Sequence, residues 1–272
     1  MISERTTPRA YDLVAIDIDG TLLNSQGELS SGAQEALEQA RERGVVVSLV
    51  SGRGKQALLP YLQELELRTP YVASGGAYLA DPVSGAVIFH EVLPWEDACV
   101  ILELGRSAQA SIAFESPDWL LVELSRQPLD WLRRPAKIRV EFVADLLSSA
   151  LTTPTKISVM GAPGQLSEVE RQVRNRMHSP AMTYTSPNGI DFYAEGVDKG
   201  TGVRRLARHL GIPLRRVAVL GDFRNDIAMF AVAGLAVAMG NAPADVRAAA
   251  DLVAPSNDEG GVAWALTQHV LV

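Results

Sequence analysis

Cysteine is almost missing from this chain. Cys99 is the only one in 272 residues, which excludes an internal disulfide and a zinc site built on thiolates, and leaves the thiol as a small packing group in a helix. Histidine is nearly as scarce: His90, His178, His209 and His269 are scattered without ligand spacing and read as surface or packing groups. No stretch approaches the roughly 20 apolar residues of a membrane span, and Met1 to Arg9 is polar and charged rather than an apolar targeting segment. A basic excess is missing too. The formal net charge is −7, so neither nucleic acid nor a membrane is an expected partner. A metal ion and a few local cations can still draw a phosphorylated ligand into an acidic protein. The expectation is a soluble, cytoplasmic protein, a monomer or weak homodimer.

What is present is apolar sequence in a regular rhythm. The hydrophobic fraction is 47%, ample for a core, and the length suits one large α/β domain or two smaller ones. Residues 11–18 read as a buried parallel strand. A capping box of Ser31 and Gln34 opens a helix to Arg43 that Gly44 stops. Val45–Val50 is a β-branched strand, a helix follows to about Leu65, and Tyr71–Ala73 is a third strand. This βαβα order predicts a parallel sheet with helices on both faces. From about Asp81 to Pro187 the strand signals become shorter and more amphipathic, with frequent proline, which reads as a second α/β domain inserted into the first. The rhythm returns with a helix over Lys199–Leu210 and a strand over Arg216–Leu220. The expected division is a core from 1–83 and 188–272 and an insert over 84–187. The tryptophans Trp95, Trp119, Trp131 and Trp264 read as packing anchors.

Four polar clusters follow predicted strands or open predicted helices, and in open α/β sheets ligands sit beyond the carboxyl ends of the strands. The first is Asp17 and Asp19, then Gly20 and Thr21. If the strand geometry persists, both carboxylates face one pocket, and their repulsion calls for a hard cation; the plain alternative is turn acids or helix caps. A carboxylate beside a metal can attack phosphorus, and a second can shuttle the proton. The second cluster, Ser51-Gly52-Arg53, makes a small anion cradle, or ordinary turn chemistry. The third, Asp198-Lys199-Gly200, puts a cation at a helix start, against the dipole unless an anion binds there; a solvated lysine is the alternative. The fourth is Gly221-Asp222-Phe223-Arg224-Asn225-Asp226. Three or four acids around one point favour magnesium.

Taken in order, these segments resemble the four motifs of the haloacid dehalogenase superfamily. The insert resembles the C2-type cap of its Cof-like phosphatases, and Ala238-Met239-Gly240-Asn241-Ala242 is typical of that subfamily. The resemblance implies a Rossmann-like parallel-sheet core with an inserted α/β cap, and a Mg2+-dependent phosphatase acting on small phosphorylated metabolites through an aspartyl phosphate. Asp17 would be nucleophile and metal ligand, and Asp19 the general acid/base, its carbonyl also on the metal. Asp222 would be the third ligand. Ser51, Gly52, Lys199, Asn225 and Gly20 would hold the phosphoryl group, with Asp226 and Thr21 behind the ligands. One departure stands out. The subfamily usually has Asn-Gly-Ala after its third strand, whereas Gly75 replaces that Asn here, so a substrate hydrogen bond is expected to be lost or moved. A phosphotransferase or phosphomutase of the same superfamily, and a non-catalytic phosphate-binding regulator, remain alternatives. In the insert, Arg133, Arg134, Lys137 and Arg139 read as a solvated basic face or as a contact for the substrate's distal group.

Overall fold

The computed structural model describes residues 10–123, 139–148, 153–177 and 181–272. In chain order the strands are β1 (Leu13–Ile16), β2 (Val46–Leu49), β3 (Tyr71–Ala73), β4 (Tyr78–Ala80), β5 (Val87–His90), β6 (Ser111–Glu115), β7 (Leu120–Glu123), β8 (Val140–Val143), β9 (Lys156–Met160), β10 (Ala181–Ser186), β11 (Gly189–Tyr193), β12 (Val217–Gly221), β13 (Leu235–Ala238) and β14 (Leu252–Val253). The helices are α1 (Ser31–Glu42), α2 (Lys55–Glu64), α3 (Trp95–Ser107), α4 (Pro163–Arg176), α5 (Lys199–Leu210), α6 (Ile227–Phe230), α7 (Ala244–Ala248) and α8 (Gly261–Ala265). None is long and apolar enough to cross a membrane.

The expected parallel sheet is present, in the order β14-β13-β12-β1-β2. Its strands are apolar on both sides because both faces are covered. Val14 and Ile16 point into a core shared with Leu37 of α1, Leu58 of α2 and Ala265 of α8. Leu13 and Ala15 point the other way, against Val203 and Leu206 of α5 and Met229 of α6. Strands β3, β4 and β5 form a small antiparallel sheet, tied to β2 through a parallel bridge between Val50 and Val72. A six-stranded mixed sheet, in the order β10-β11-β9-β6-β7-β8, holds the strands of the middle segment. Helices α3 and α4 cover one of its faces, where Ile112, Phe114, Ile157, Val159, Ile190 and Phe192 are buried. Alternation sends Glu115, Lys156, Ser158, Asp191 and Tyr193 to the opposite face.

Several local expectations change. Strand β1 stops at Ile16, and Ile18–Leu22 winds into one tight turn in which Gly20 takes φ +78°. The two aspartates are therefore aimed by a loop, not by the pleat of one strand. Ser30, rather than Ser31, caps α1, its hydroxyl accepting from the Ala33 N–H at 3.2 Å. Strands β4, β7 and β11 were not anticipated: the first two are only three and four residues long, and β11 carries an aspartate mid-strand. Of the basic cluster, Arg133, Arg134 and Lys137 lie outside the described residues, as do Trp131 and His178, and Arg139 pairs with Glu141 at 3.0 Å.

Candidate active site

Strands β1 and β12 are neighbours at the centre of the parallel sheet, so their carboxyl ends bring Asp17 and Asp222 together across about 200 residues of sequence. Asp226 joins them from the single turn Arg224–Asp226 after β12. Carboxylate oxygens of Asp17, Asp222 and Asp226 lie within 4.8 Å of one another. Lys199, the first residue of α5, turns its side chain inward from the helix start. Its Nζ donates to Asp17 Oδ1 and to Asp226 Oδ1, each at 2.6 Å. Asp17, Asp226 and Lys199 are all buried.

One ammonium does not neutralise three carboxylates. Burial pushes the Asp17 carboxyl well above the usual range, and Asp226, Asp222 and Asp19 push the same way against Lys199. Burial, with Asp226 beside it, pushes Asp222 up to about 7. Lys199 is held protonated: burial opposes its charge, but Asp17 and Asp226 outweigh burial. The cluster is short of positive charge and offers only oxygen donors, which suits a hard divalent cation.

The neighbouring groups pin these acids in place. Thr21 Oγ1 donates to Asp222 Oδ1 at 3.0 Å. Asp226 Oδ2 accepts from the backbone N–H groups of Asp222 and Phe223, at 2.9 and 3.0 Å, so it also shapes the turn it sits in. Asn241 Nδ2 donates to the Gly20 carbonyl at 2.9 Å, joining the Ala238–Ala242 segment to the loop of the first motif. Gly20 is required twice over. Its φ is left-handed, and a Cβ there would overlap the Asp222 carboxylate.

Asp19 is placed differently. Its carboxylate stands apart from the three-acid cluster and accepts a two-pronged bond from Arg53, from Nε at 2.7 Å and from Nη2 at 2.6 Å. It remains 42% exposed, on the same cavity that Asp17 lines. Ser51, Gly52 and Asn225 line that cavity as well. The Ser51 hydroxyl accepts from the Arg53 N–H at 3.1 Å. Asn225 Oδ1 is buried without a hydrogen-bond partner among the described residues, as a side chain waiting for a polar ligand would be.

Sequence reasoning missed the roof of the cavity. Lys156, Ser158 and Asp191 descend from β9 and β11, and Glu115 from β6. Lys156 Nζ donates to Asp191 Oδ2 and to the Gly52 carbonyl, each at 2.7 Å. Ser74 donates to Glu115 Oε1 at 2.7 Å. Burial raises the Glu115 carboxyl against the pull of Lys156. The signal that marks these residues is a charged group inside an otherwise apolar strand, as in Ser111-Ile112-Ala113-Phe114-Glu115 and Gly189-Ile190-Asp191-Phe192-Tyr193.

Gly75 has a structural cause. Its φ is +63°, and a Cβ there would come 2.5 Å from the Tyr193 ring. Tyr193 fills the space that a side chain at 75 would use, and its hydroxyl donates to Asp191 Oδ2 at 3.1 Å.

A family model described as haloacid dehalogenase-like hydrolase matches residues 14–266. Phosphatase YwpJ of Bacillus subtilis (strain 168) is 30% identical, over 95% of this chain and 99% of its own length. Pyridoxal phosphate phosphatase YbhA of Escherichia coli (strain K12) is 27% identical, over 95% of this chain and 98% of its own. Among solved structures, the HAD subclass IIB sugar phosphatase BT4131 superposes with a TM-score of 0.83 at 25% identity, covering 96% of this chain and all of that one.

Proposed function

The chain belongs to the haloacid dehalogenase-like hydrolase family, and we propose that it is a Mg2+-dependent phosphatase of small phosphorylated metabolites, such as sugar phosphates or a phosphorylated cofactor. Phosphatase activity on phosphorylated substrates is what its relatives are named for. One observation carries the reading: a buried lysine bridges Asp17 and Asp226 beside Asp222, at the edge where β1 and β12 end. Such a cluster is costly to fold unless it serves an ion and an anion.

In this reading Asp17 and Asp222, with the Asp19 carbonyl, would hold the Mg2+. When bound, the ion neutralises charge on the transferring phosphoryl oxygens. Lys199, Ser51 and the Gly52 loop hold the phosphoryl group in line with Asp17, and Asn225 supplies a further polar contact. An Asp17 oxygen attacks phosphorus, the bond to the ester oxygen breaks, and Asp19 gives that oxygen its proton. A water then attacks the phosphorus of the aspartyl phosphate, Asp19 takes the water's proton, and inorganic phosphate departs as Asp17 is restored. The described roof strands, with the middle segment over 84–187 as the cap, exclude bulk water and select the leaving group.

Release of inorganic phosphate from p-nitrophenyl phosphate tests the reading. It should require added Mg2+, vanish with a chelator and return when the ion is restored. Phosphate release untouched by chelation would overturn the metal requirement, and none under any condition would overturn the phosphatase. Gly20→Ala should displace the Asp222 carboxylate and weaken divalent-ion binding on the order of tenfold, read by isothermal titration. Wild-type affinity in that variant would mean that Asp222 is not a ligand.

A further inference from the structure

Deepening the phosphatase reading on which it rests, we infer that Glu115, Asp191 and Ser158 form a leaving-group subsite that accepts a hydroxyl-rich or ammonium-bearing alcohol and rejects one carrying a second anion. The cavity beneath them is about 260 Å3, small beside the roughly 300–1,000 Å3 of common ligand pockets, so the leaving group must lie against this wall.

Among the described residues lining the cavity, the cations are Arg53 and Lys156, and both are engaged. The Arg53 fork is closed on Asp19, and its Nη1 donates to the Tyr61 hydroxyl at 3.2 Å. An ammonium has three N–H groups. Those of Lys156 face the Gly52 carbonyl and Asp191 Oδ2, each at 2.7 Å, and Glu115 Oε2 at 3.5 Å. Two donors on Lys156 are thus taken by hydrogen bonds and its charge is shared between two carboxylates.

The acids keep capacity. A carboxylate offers about four lone-pair sites. Glu115 accepts one hydrogen bond, from Ser74 at Oε1, and faces Lys156 with Oε2, while Asp191 accepts three, from Ser158 at Oδ1 and from Lys156 and Tyr193 at Oδ2, so most of the spare capacity is on Glu115. The wall therefore carries two carboxylates to one ammonium and presents spare acceptors. Hydroxyl or ammonium donors on the leaving group complete these bonds. A carboxylate or second phosphate would instead face two buried acids at low dielectric, with no free cation among the described residues that line the cavity. Leu120, Val140 and Met160 supply the apolar sides for a carbon skeleton. The wall is also fixed relative to the reacting end, because Ser74 and the Gly52 carbonyl, both on core loops, are its anchors.

The test compares substrates matched in size, with the Mg2+-loaded enzyme. Glycerol 3-phosphate is set against 3-phosphoglycerate, and glucose 6-phosphate against 6-phosphogluconate, with p-nitrophenyl phosphate as the reference ester. The hydroxyl member of each pair should have kcat/KM at least about tenfold above the acid, since a polar site strongly rejects a mismatched partner. Glu115→Gln and Asp191→Asn should each narrow that ratio by about threefold or more. Equal or better turnover of the acids overturns the inference, as do variants that fold, by melting temperature, and keep the wild-type ratio. The wild-type comparison stands even where a variant fails to fold. Failure to release phosphate from the reference ester is a separate result: it removes the phosphatase reading, and the subsite with it.

Discussion

Asp17→Asn is expected to lower phosphate release by about four to six orders of magnitude, the scale seen when a catalytic nucleophile is removed. The amide keeps the shape and much of the hydrogen bonding, but it is a poor nucleophile for phosphorus. Its effect on stability should be small. Losing one of three crowded, buried carboxylates relieves repulsion among Asp17, Asp222 and Asp226, while Lys199 loses one of two anionic partners and keeps Asp226. These changes oppose each other. Phosphate release and a thermal melt, run on the same preparation, check both halves. Residual turnover within tenfold of wild type would remove Asp17 from the nucleophile's role.

Lys199→Met should do the reverse and strike the fold. Methionine matches the lysine stem in length and leaves Asp17 and Asp226 buried without a counter-charge. Breaking a buried ion pair from one side typically costs about 3–5 kcal/mol, and here one cation serves two acids. Urea unfolding in metal-free buffer should show the midpoint shifted down by the corresponding amount, and turnover should be lost as well. Combining the change with Asp17→Asn should recover part of the stability, because the doubly altered site buries one fewer uncompensated charge. An unchanged urea midpoint in Lys199→Met would mean that the acids hold protons and that the lysine is not their counter-ion.

The acids of the core were legible in the sequence because each sits where a strand ends. The apolar run before Asp17 and the one before Asp222 announce β1 and β12, and parallel strands in an α/β sheet send their carboxyl ends to one edge. What the sequence could not supply was orientation at that edge. Asp17 and Asp19 read as partners on one pleat, yet Gly20 turns the chain and Arg53 draws Asp19 away from the cluster. The roof was illegible for a different reason. Glu115, Lys156 and Asp191 come from three strands, and only the pairing of Glu115 opposite Lys156, and of Asp191 opposite Ser158, makes them neighbours. No local motif encodes that register. Gly75 lies between the two cases: its loss of a side chain was visible, but the tyrosine that takes the space is 118 positions further along, on β11.

The order of strands has a consequence for synthesis. With β1 between β2 and β12, a nascent chain that has emerged only as far as residue 210 has one edge of its first strand bare. That edge is Leu13-Val14-Ala15-Ile16, wholly apolar, with unpaired amides waiting for Val217–Leu220. The ribosome must pass Leu220 before the middle of the sheet can close, and throughout that interval the exposed edge is open to strangers, the kind of surface that chaperones exist to shield.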